Sequence, residues 1–375
     1  MSRIVILTLE ARPYPGGIAT YVHDVARAMV EQGHDVALWV FGNYGEVPEA
    51  PGGMSVKLLT RGHFSVRRLP WMTIVALREA LRTQFDYWIA ADFASITILG
   101  LLPVRGQKIG VLHGTEIRGA LFSLFNRLRL YRPLARMDRV VANSHFTRDL
   151  ALKHHPYLSE EKTIAAPLGV HAQWFVQPPD NACKSILAQL GIERGRKIVV
   201  SVGRIEERKG IEFGIGAVQL VPARWRSKLT YLIVGRVVDP AYEQSLAQKI
   251  EAGDADVRLI GPVSEEVLQA LYASAFLMLH CSVPQPVSVE GFGLVLVEAA
   301  ANGLPIVASD TDAISEVVRD GVTGILTPPG DSSAMSQAIV QLLDGDMPYA
   351  DMKVEAVTHA RCFTWKKHVV QMLGK

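Results

Sequence analysis

The sequence predicts an α/β protein with two domains, each built on a doubly wound parallel sheet, that face each other across a central cleft. Its 375 residues suit two domains, since a single domain of this length would be unusually large. Short apolar runs of strand length alternate with segments of helical periodicity, as in parallel sheets covered by helices. This alternation begins near the N-terminus and begins again at Arg196, so the chain repeats one architecture.

A strand–helix–strand unit opens the first domain. Residues 4–9 and 36–41 are continuous apolar runs, which are typical of buried strands. Between them, apolar side chains recur at helical spacing from Ile18 to Met29, and Gly33 supplies the glycine at which such a helix ends. Later apolar runs predict three more strands of this Rossmann-like domain at residues 87–90, 108–112 and 139–142.

The second domain begins with a predicted strand at residues 198–202, followed by Gly203 and by a helix from about Ile211. Further strands are predicted at residues 229–234, 257–260, 276–279 and 306–309, and helices at residues 265–273 and 294–302. Proline and glycine concentrate between Pro167 and Pro179, which indicates a linker and places the domain boundary after residue 170.

Charge and cysteine content exclude several classes of protein. The 39 Lys and Arg residues nearly balance the 37 Asp and Glu residues, so the chain lacks the basic field of a nucleic-acid-binding protein. Cys183, Cys281 and Cys362 have neither paired nor metal-type spacing, which predicts no disulfide framework and no zinc site. No stretch reaches the roughly 18 apolar residues of a spanning helix, and the N-terminus has no signal-peptide pattern. We expect a cytoplasmic protein whose membrane contact is at most peripheral, at the inner face of the plasma membrane.

Open parallel sheets bind ligands outside the carboxyl ends of their strands. The candidate loops therefore follow residues 9, 112, 202, 234 and 279. His113 comes directly after a strand, so its side chain is expected at this edge of the sheet; the alternative is a structural histidine. Gly16 and Gly17 precede a helix and allow close approach of a diphosphate or an acceptor, although any tight turn has the same pattern.

Glu290 and Glu298 stand eight positions apart, across a glycine-rich turn and the start of a helix. Gly291 and Gly293 allow close backbone approach, and the first amides of the helix can bind a phosphate at the positive end of the helix dipole. From one turn inside the helix, Glu298 can reach a ribose diol, while Glu290 can face the hydroxyls of a sugar. The alternative is that one is a loop residue and the other an exposed helix residue.

Two cations flank the first loop of the second domain. Arg204 follows a strand and Lys209 precedes a helix, so both can reach one diphosphate. Together they can stabilise the charge that develops on a nucleotide diphosphate leaving group without a metal. The residues between them, 206–208, fit a solvated charged turn.

Taken together, these residues resemble the retaining glycosyltransferases with the GT-B fold of glycosyltransferase family 4, also called glycosyl transferases group 1. The resemblance covers nearly the whole chain, and the two glutamates within EGFGLVLVE are its most specific part. The other motifs that carry it are Pro15-Gly16-Gly17, His113-Gly114, Asn143-Ser144, Gly203-Arg204, Lys209-Gly210 and Gly303-Leu304-Pro305-Ile306-Val307-Ala308.

The resemblance implies a role for each matched residue. The implied catalytic residues are His113, Arg204, Lys209 and Glu290. The implied donor-binding residues are Gly16, Gly17, Gly203, Arg204, Lys209, Gly235, Gly261, Val263, Glu290, Phe292, Gly293, Leu294, Val295 and Glu298. In this scheme Glu298 holds the ribose, and Arg204 and Lys209 clamp the diphosphate. Glu290 and the backbone of residues 292–295 hold the sugar and its phosphate, His113 lines the sugar pocket, and backbone near residues 261–263 reads the base.

The resemblance also implies that the final helix, at about residues 358–375, crosses back onto the first domain. The acceptor-binding domain then comprises residues 1–170 and 358–375, and the nucleotide-sugar-binding domain comprises residues 171–357. Relatives often carry Gly-Gly where this chain has Thr311-Asp312-Ala313, which leaves the role of that loop open. We interpret Asp310 to Asp312 as a turn and helix cap, because it follows a strand directly and lacks further metal ligands.

The activity implied is transfer of a mannose-type or glucose-type hexose from a GDP or UDP sugar. The acceptor is a glycan or a lipid-linked glycan, as in bacterial polysaccharide or lipopolysaccharide assembly. Family mechanism retains the anomeric configuration by same-face attack, with the leaving phosphate helping to deprotonate the acceptor. No protein nucleophile, cofactor or metal is expected.

Two basic segments can rest on an anionic membrane. Residues 118–139 interleave leucine and aromatic residues with arginine, without an acidic residue before Met137. The alternative is a core helix whose arginines face water. Residues 61–82, with Arg67, Trp71 and Arg78, offer a second such surface.

Two rival functions stay open and a third lacks its motif. A sugar-nucleotide epimerase of the same architecture would need acid and base residues and would consume donor without acceptor. A non-catalytic nucleotide-sugar-binding protein would bind donor and release no nucleotide diphosphate. A nicotinamide dehydrogenase would need a Gly-x-Gly-x-x-Gly turn after a strand and an acidic residue about 20 positions on, and no such set is evident.

Overall fold

The computed structural model describes residues 1–14, 16–42, 52–62, 65–121 and 131–374, and for residues 119–121 the backbone alone. The described chain divides into two compact units. The first comprises Met1–Gly169, Val287–Gly291 and Thr364–Lys375, and the second comprises Val170–Pro286 and Phe292–Phe363. The chain thus enters the second unit next to the expected boundary. Residues 287–291, expected in the second domain, group with the first unit.

The first unit is built on a parallel sheet with the strand order β3-β2-β1-β4-β5-β6-β7. Its strands are β1 (Arg3–Thr8), β2 (Asp35–Gly42), β3 (Ser55–Arg61), β4 (Tyr87–Ala90), β5 (Gln107–Leu112), β6 (Arg139–Ala142) and β7 (Thr163–Ala165). Its helices before residue 170 include α1 (Gly17–Glu31), α2 (Leu69–Ala80), α3 (Phe93–Leu101), α4 (Thr115–Leu121) and α5 (His145–His154). A 3-10 turn, Val66–Arg68, leads into α2.

The second unit has a parallel sheet with the strand order β10-β9-β8-β11-β12-β13. Its strands are β8 (Lys197–Val202), β9 (Leu229–Val234), β10 (Val257–Gly261), β11 (Leu277–His280), β12 (Ile306–Ser309) and β13 (Gly324–Thr327). Its helices are α6 (Asp180–Gln189), α7 (Ile211–Leu220), α8 (Ala223–Arg226), α9 (Pro240–Glu251), α10 (Glu265–Ser274), α11 (Leu294–Ala301), α12 (Ile314–Val317), α13 (Ser332–Asp344) and α14 (Tyr349–Ala360).

Both sheets reverse their strand order near the middle, which confirms the predicted doubly wound α/β class. The reversal falls between β1 and β4 in the first sheet and between β8 and β11 in the second. Such switch points open a crevice outside the carboxyl ends of the strands, because the loops on either side turn to opposite faces of the sheet. The loops after β1 and β4, and those after β8 and β11, therefore flank these crevices, and the loop after β5 is next to the one after β4.

The remaining helix, α15 (Trp365–Leu373), belongs to the first unit and packs on α1. Thr364 caps it, its side chain accepting a hydrogen bond from the amide of Lys367 at 3.1 Å. A Cβ at Gly169 would lie 2.1 Å from the backbone nitrogen of Trp365. Only glycine at residue 169 therefore lets the start of α15 pack directly against the backbone there.

Candidate functional site

The carboxyl ends of β8, β9 and β11 and the loops after β8 and β11 surround a pocket in the second unit. Arg204 and Lys209, which were predicted to share one diphosphate, both line it together with Gly203. The other lining residues are Ser201, Val202, Ile211, Ile233, Val234, Leu279, His280 and Cys281. The structure thus brings the two cations to one pocket at the carboxyl edge of the sheet.

Close backbone packing shapes this pocket. A Cβ at Gly235 would lie 1.7 Å from the carbonyl oxygen of Gly203, so only glycine leaves room there for the loop after β8. The amide of Gly235 donates to the carbonyl oxygen of Gly261 at 2.9 Å, which joins the ends of β9 and β10. Val263, the other residue expected to read a base, is half-buried just after β10.

Lys209 ends a 3-10 turn, Glu207–Lys209, in front of α7. Gly210 follows with a φ of +56°, and a Cβ there would lie 2.2 Å from the carbonyl oxygen of Cys281. Both the left-handed conformation and the close approach require glycine. The turn that carries Lys209 is thus fixed against the end of β11. Burial raises the pKa of the Cys281 thiol, so this pocket residue stays protonated and is no nucleophile at neutral pH.

The charged turn after β8 contains an ion-pair cluster. Oε1 of Glu206 lies 3.1 Å from Nη2 of Arg204 and 3.2 Å from Nη2 of Arg208. The side chain of Arg208 is 12% exposed and that of Arg204 is 55% exposed. The expectation of a solvated turn is therefore wrong for Arg208, which the local sequence could not distinguish from its neighbours. Glu206 orients Arg204 while leaving part of its guanidinium accessible.

The glycine-rich turn leads into α11, as the sequence predicted. Gly293 precedes the helix with a φ of +82°, a left-handed conformation that glycine adopts without strain. Phe292 is buried, and its ring packs edge-on against Phe363 with the centroids 5.5 Å apart. The chain therefore enters α11 at a fixed angle, with Leu294 and Val295 in the first turn, at the positive end of the helix dipole.

Glu298 lies one turn inside α11 and is half-buried, not exposed as in the alternative interpretation. It acts on the buried Tyr272. Burial first, and then the charge of Glu298, raise the pKa of the Tyr272 hydroxyl well above its usual value. That hydroxyl donates to the carbonyl oxygen of Val295 at 3.4 Å. The Tyr272 hydroxyl, which is close enough to feel the charge of Glu298, therefore stays protonated at neutral pH.

Glu290 belongs to the short segment Val287–Gly291, which groups with the first unit. A Cβ at Gly291 would lie 2.0 Å from the carbonyl oxygen of His113. The segment thus packs directly on the backbone after β5, and Glu290 itself is half-buried. In the first unit the structure therefore brings the Glu290 segment to the predicted sugar-pocket histidine.

Two polar residues at this turn received no role from the sequence. Nδ2 of Asn143 donates to the carbonyl oxygen of His113 at 3.5 Å. The hydroxyl of Thr147 donates to the carbonyl oxygen of Gly291 at 3.4 Å. Asn143 follows β6 and Thr147 lies in the first turn of α5, next to the end of β5. The available signal was the position of Asn143 directly after β6, the strand that pairs with β5.

His113 follows β5 and is held in one orientation. Its Nε2 lies 2.9 Å from the carbonyl oxygen of Ala91. Since a carbonyl only accepts, Nε2 donates this hydrogen bond, and in the neutral form of such a ring Nδ1 is an acceptor. The carboxylate of Glu116 accepts from the amides of His113, at 2.5 Å, and Gly114, at 3.1 Å. This hydrogen bond to Ala91 fits a structural histidine, and it also leaves Nδ1 able to face a ligand hydroxyl.

Gly16 and Gly17 stand at the start of α1, after the loop that follows β1. A Cβ at Gly16 would lie 2.8 Å from Oε2 of Glu10, whereas one at Gly17 meets nothing within 4 Å. Only Gly16 is therefore required by a close approach within this unit. The approach is to a carboxylate of the chain.

The Asp310 to Asp312 segment forms a turn, with the amide of Ile314 donating to the carbonyl oxygen of Thr311 at 3.1 Å. The expected helix cap is wrong, because the N-cap of α12 is Ala313, without a side-chain hydrogen bond. Asp312 has a φ of +53°, where the alternative Gly-Gly would be unstrained. Within the described ranges, no three His, Cys, Asp or Glu side chains gather in a way that could hold a metal ion.

The middle of the predicted basic helix, residues 122–130, lies outside the described residues. In the part that is described, Tyr131 and Leu134 are buried in the core, whereas Arg132 and Arg136 are exposed. For these residues the arrangement is that of a core helix with arginines facing water. Among the described helices, none combines the length and apolarity needed to cross a bilayer.

Two family models and several solved structures define the class of protein. A model described as Glycosyl transferases group 1 matches residues 184–358, and one described as Glycosyltransferase Family 4 matches residues 15–174. The Anabaena protein Alr3699/HepE, solved with UDP and glucose, superposes with a TM-score of 0.81 at 20% identity, covering all of both chains. WaaG, described as a glycosyltransferase involved in lipopolysaccharide biosynthesis, superposes with a TM-score of 0.75 at 17% identity over 99% of this chain and 100% of its own. The fold and the glycine-rich loops therefore define a glycosyltransferase of the GT-B fold.

Curated relatives agree with this class. The phosphatidyl-myo-inositol mannosyltransferase of Mycolicibacterium smegmatis is 27% identical over 96% of this chain and 89% of its own. The D-inositol 3-phosphate glycosyltransferase of Corynebacterium diphtheriae is 24% identical over 97% and 91%. The chain belongs to glycosyltransferase family 4, and its activity is glycosyl transfer from a nucleotide sugar.

Proposed function

We propose that this protein is a retaining, metal-independent hexosyltransferase that uses a UDP or GDP sugar of the glucose or mannose type. The observation that carries the proposal is the convergence of Arg204 and Lys209 on one pocket after β8. A diphosphate in that pocket meets a guanidinium and an ammonium, which stabilise the charge of the departing nucleotide electrostatically. Two protein cations can serve where other transferases use a metal ion.

The second unit supplies the remaining donor contacts in this proposal. Glu298 binds the ribose through charge-assisted hydrogen bonds, and the first amides of α11 donate hydrogen bonds to a phosphate oxygen. In this proposal Gly203, Gly235 and Gly261 let the nucleotide approach the backbone, and the backbone at Val263 reads the base. The residues with donor-binding roles are Gly16, Gly17, Gly203, Arg204, Lys209, Gly235, Gly261, Val263, Glu290, Phe292, Gly293, Leu294, Val295 and Glu298.

The first unit supplies the sugar contacts. His113 offers Nδ1 as an acceptor to a sugar hydroxyl, and Glu290 accepts from a second hydroxyl. The leaving phosphate takes the proton of the acceptor hydroxyl as the new bond forms on the face that the nucleotide leaves. The acceptor in this proposal is a glycan or a lipid-linked glycan, as in polysaccharide or lipopolysaccharide assembly. The name of one relative, a phosphatidyl-myo-inositol mannosyltransferase, supports a lipid-linked acceptor.

Nucleotide binding and turnover test this proposal together. Calorimetry with UDP and GDP is expected to show tight binding of one of them, lost on the order of a hundredfold in Lys209→Met, because a buried charge-assisted contact disappears. Lys184→Met, an exposed lysine on α6, is the matched control. A transferase releases nucleotide diphosphate only with acceptor and keeps its rate in EDTA, and NMR of the product shows the donor's anomeric configuration. Donor consumption without acceptor would instead indicate an epimerase, and binding without turnover a sugar-nucleotide sensor.

A further inference from the structure

The helix α2 carries a row of exposed apolar side chains that no part of the described chain covers. Trp71 is 52% exposed and Ile74 45%, with Val66 at 42% before the helix and Leu81 at 75% after it. Met72 and Ala76 on the opposite face are buried in the core of the first unit. Because residues three and four apart share a helix face, residues 67, 71, 74, 78 and 81 form one outward stripe. A contiguous row of exposed apolar side chains on a folded domain indicates a surface that binds another molecule or a membrane.

The positive charge along this stripe indicates that its partner is negatively charged. Residues 61–82 contain five arginines and one acidic residue, Glu79. Glu79 is turned away from the stripe, with a side chain 15% exposed that pairs with Lys57 and lies 3.8 Å from Arg82. Arg67 and Arg78 are exposed on the stripe itself. A row of exposed apolar side chains bordered by arginines complements a surface that has an apolar interior beneath negatively charged groups.

We propose that α2 and the turn before it, residues 66–82, dock this protein on an anionic lipid bilayer. Trp71, Ile74 and Leu81 enter the boundary between head groups and acyl chains, and Arg67 and Arg78 contact the anionic head groups. Tryptophan suits this depth because its ring is apolar and its N–H is polar. The proposal concerns a surface of the first unit, so it stands or falls independently of the transfer reaction proposed above.

Vesicle flotation with the full chain tests the docking surface. Wild-type protein is expected to float with vesicles that contain phosphatidylglycerol, and not with phosphatidylcholine alone or at high salt. Trp71→Ser/Ile74→Ser is expected to lower the partition coefficient at least roughly tenfold, and Arg67→Gln/Arg78→Gln on the order of thirtyfold. The matched control, Leu220→Ser/Val354→Ser, removes two apolar side chains from the second unit that are somewhat more exposed than Trp71 and Ile74, and it should bind as wild type does.

Fluorescence places the contact. Four of the six tryptophans are buried and Trp225 is half-buried, so Trp71 is the exposed one. Brominated anionic lipids are expected to quench the wild-type emission, and Trp71→Phe should abolish most of that quenching while it keeps vesicle binding. UDP and GDP binding, measured on every variant, reports folding and separates this test from that of the transfer function.

Three results would overturn the proposal. One is equal binding to neutral and anionic vesicles, or binding to neither, by protein that still binds nucleotide. The second is retained binding in the α2 variants with loss in the Leu220/Val354 control. The third is a wild-type dimer that Trp71→Ser/Ile74→Ser converts to a monomer without any vesicle binding, which would make the stripe an interface between two copies of the chain.

Discussion

The hydroxyl of Tyr21 on α1 lies 3.1 Å from Nε2 of His368 on α15, and both side chains are buried. Nδ1 of His368 lies 2.8 Å from the carbonyl oxygen of Ala166. Since a carbonyl only accepts, Nδ1 donates there, and Nε2 accepts from the Tyr21 hydroxyl. The ring of Tyr21 also packs edge-on against His113, with the centroids 5.0 Å apart. The C-terminal helix is thus joined through Tyr21 to the histidine proposed to bind the sugar.

Tyr21→Phe tests this link by removing one oxygen atom. The ring still packs against His113, but Nε2 of His368 loses its donor in a buried environment. We expect the free energy of unfolding to fall by about 1–3 kcal/mol, the usual cost of an unsatisfied buried group. Urea denaturation measures it. Tyr157→Phe, which removes an exposed hydroxyl, is the control, and an equal effect of both variants would contradict the assigned hydrogen bond.

The stability of the first unit should fall in mild acid because of buried histidines. Burial lowers the pKa of His368 to about 4, and burial likewise lowers the pKa of His155 to about 4. In the unfolded chain the pKa of histidine is about 6.5, so the unfolded state takes up protons first as the pH falls. Stability is therefore full above about pH 6.5 and is lost as the pH falls to about 4.

The contribution of His368 to this loss is about 3 kcal/mol. Urea denaturation between these pH values measures the slope of stability against pH. The slope is proportional to the number of protons taken up on unfolding, and His368→Gln is expected to lower that number by about one. The same substitution also lowers stability at neutral pH. A variant with the wild-type slope would show that His368 is not the titrating group.

Gly235→Ala is predicted to damage both folding and nucleotide binding. Its Cβ would lie 1.7 Å from the carbonyl oxygen of Gly203, so the loop that carries Arg204 must move. We expect a loss of about 2–4 kcal/mol of stability, as for other overpacked or strained sites, and weaker UDP or GDP binding. Gly345→Ala is the control, because its Cβ meets nothing within 4 Å, its φ of +82° costs only about 1 kcal/mol, and no donor-binding role is assigned to it. Similar losses in the two variants, by thermal unfolding and calorimetry, would contradict the steric argument.

The central strands were predictable because burial on both faces makes them continuous apolar runs. The bounds of β4, β6, β9 and β12 agree with the sequence to the residue. By contrast, β3, β7 and β13 lie toward the sheet edges and went unpredicted. β3 mixes serine, lysine and threonine with apolar residues, β7 has three residues, and β13 has only two apolar residues between a glycine and a threonine. Strands with so few consecutive apolar residues resemble loops until a neighbouring strand pairs with them.

The site was predictable as residue types but not as contacts. Glycines before helices and cations after strands follow from local rules, so Gly203, Arg204 and Lys209 could be named. What places them is non-local: residue 281 requires the glycine at 210, and residue 203 requires the one at 235. Tyr21 and His368 are 347 positions apart, and no spacing rule links them. The roles of the site residues stay predictions until binding is measured.

Glu206→Gln tests how the charge of the pocket is balanced. Glu206 lies between Arg204 and Arg208, at 3.1 and 3.2 Å, and offsets part of the positive charge offered to a diphosphate. Glutamine keeps the shape and can still accept a hydrogen bond from Arg204, but it removes the negative charge. Because Arg204 is partly exposed, solvent weakens the effect, and we expect UDP or GDP to bind about two- to fivefold more tightly at low salt. The gain should disappear as salt is raised, since screening acts on the same charges. Weaker binding at every salt concentration would mean that Glu206 acts mainly by orienting Arg204. Its negative charge would then not be what limits the affinity for the nucleotide.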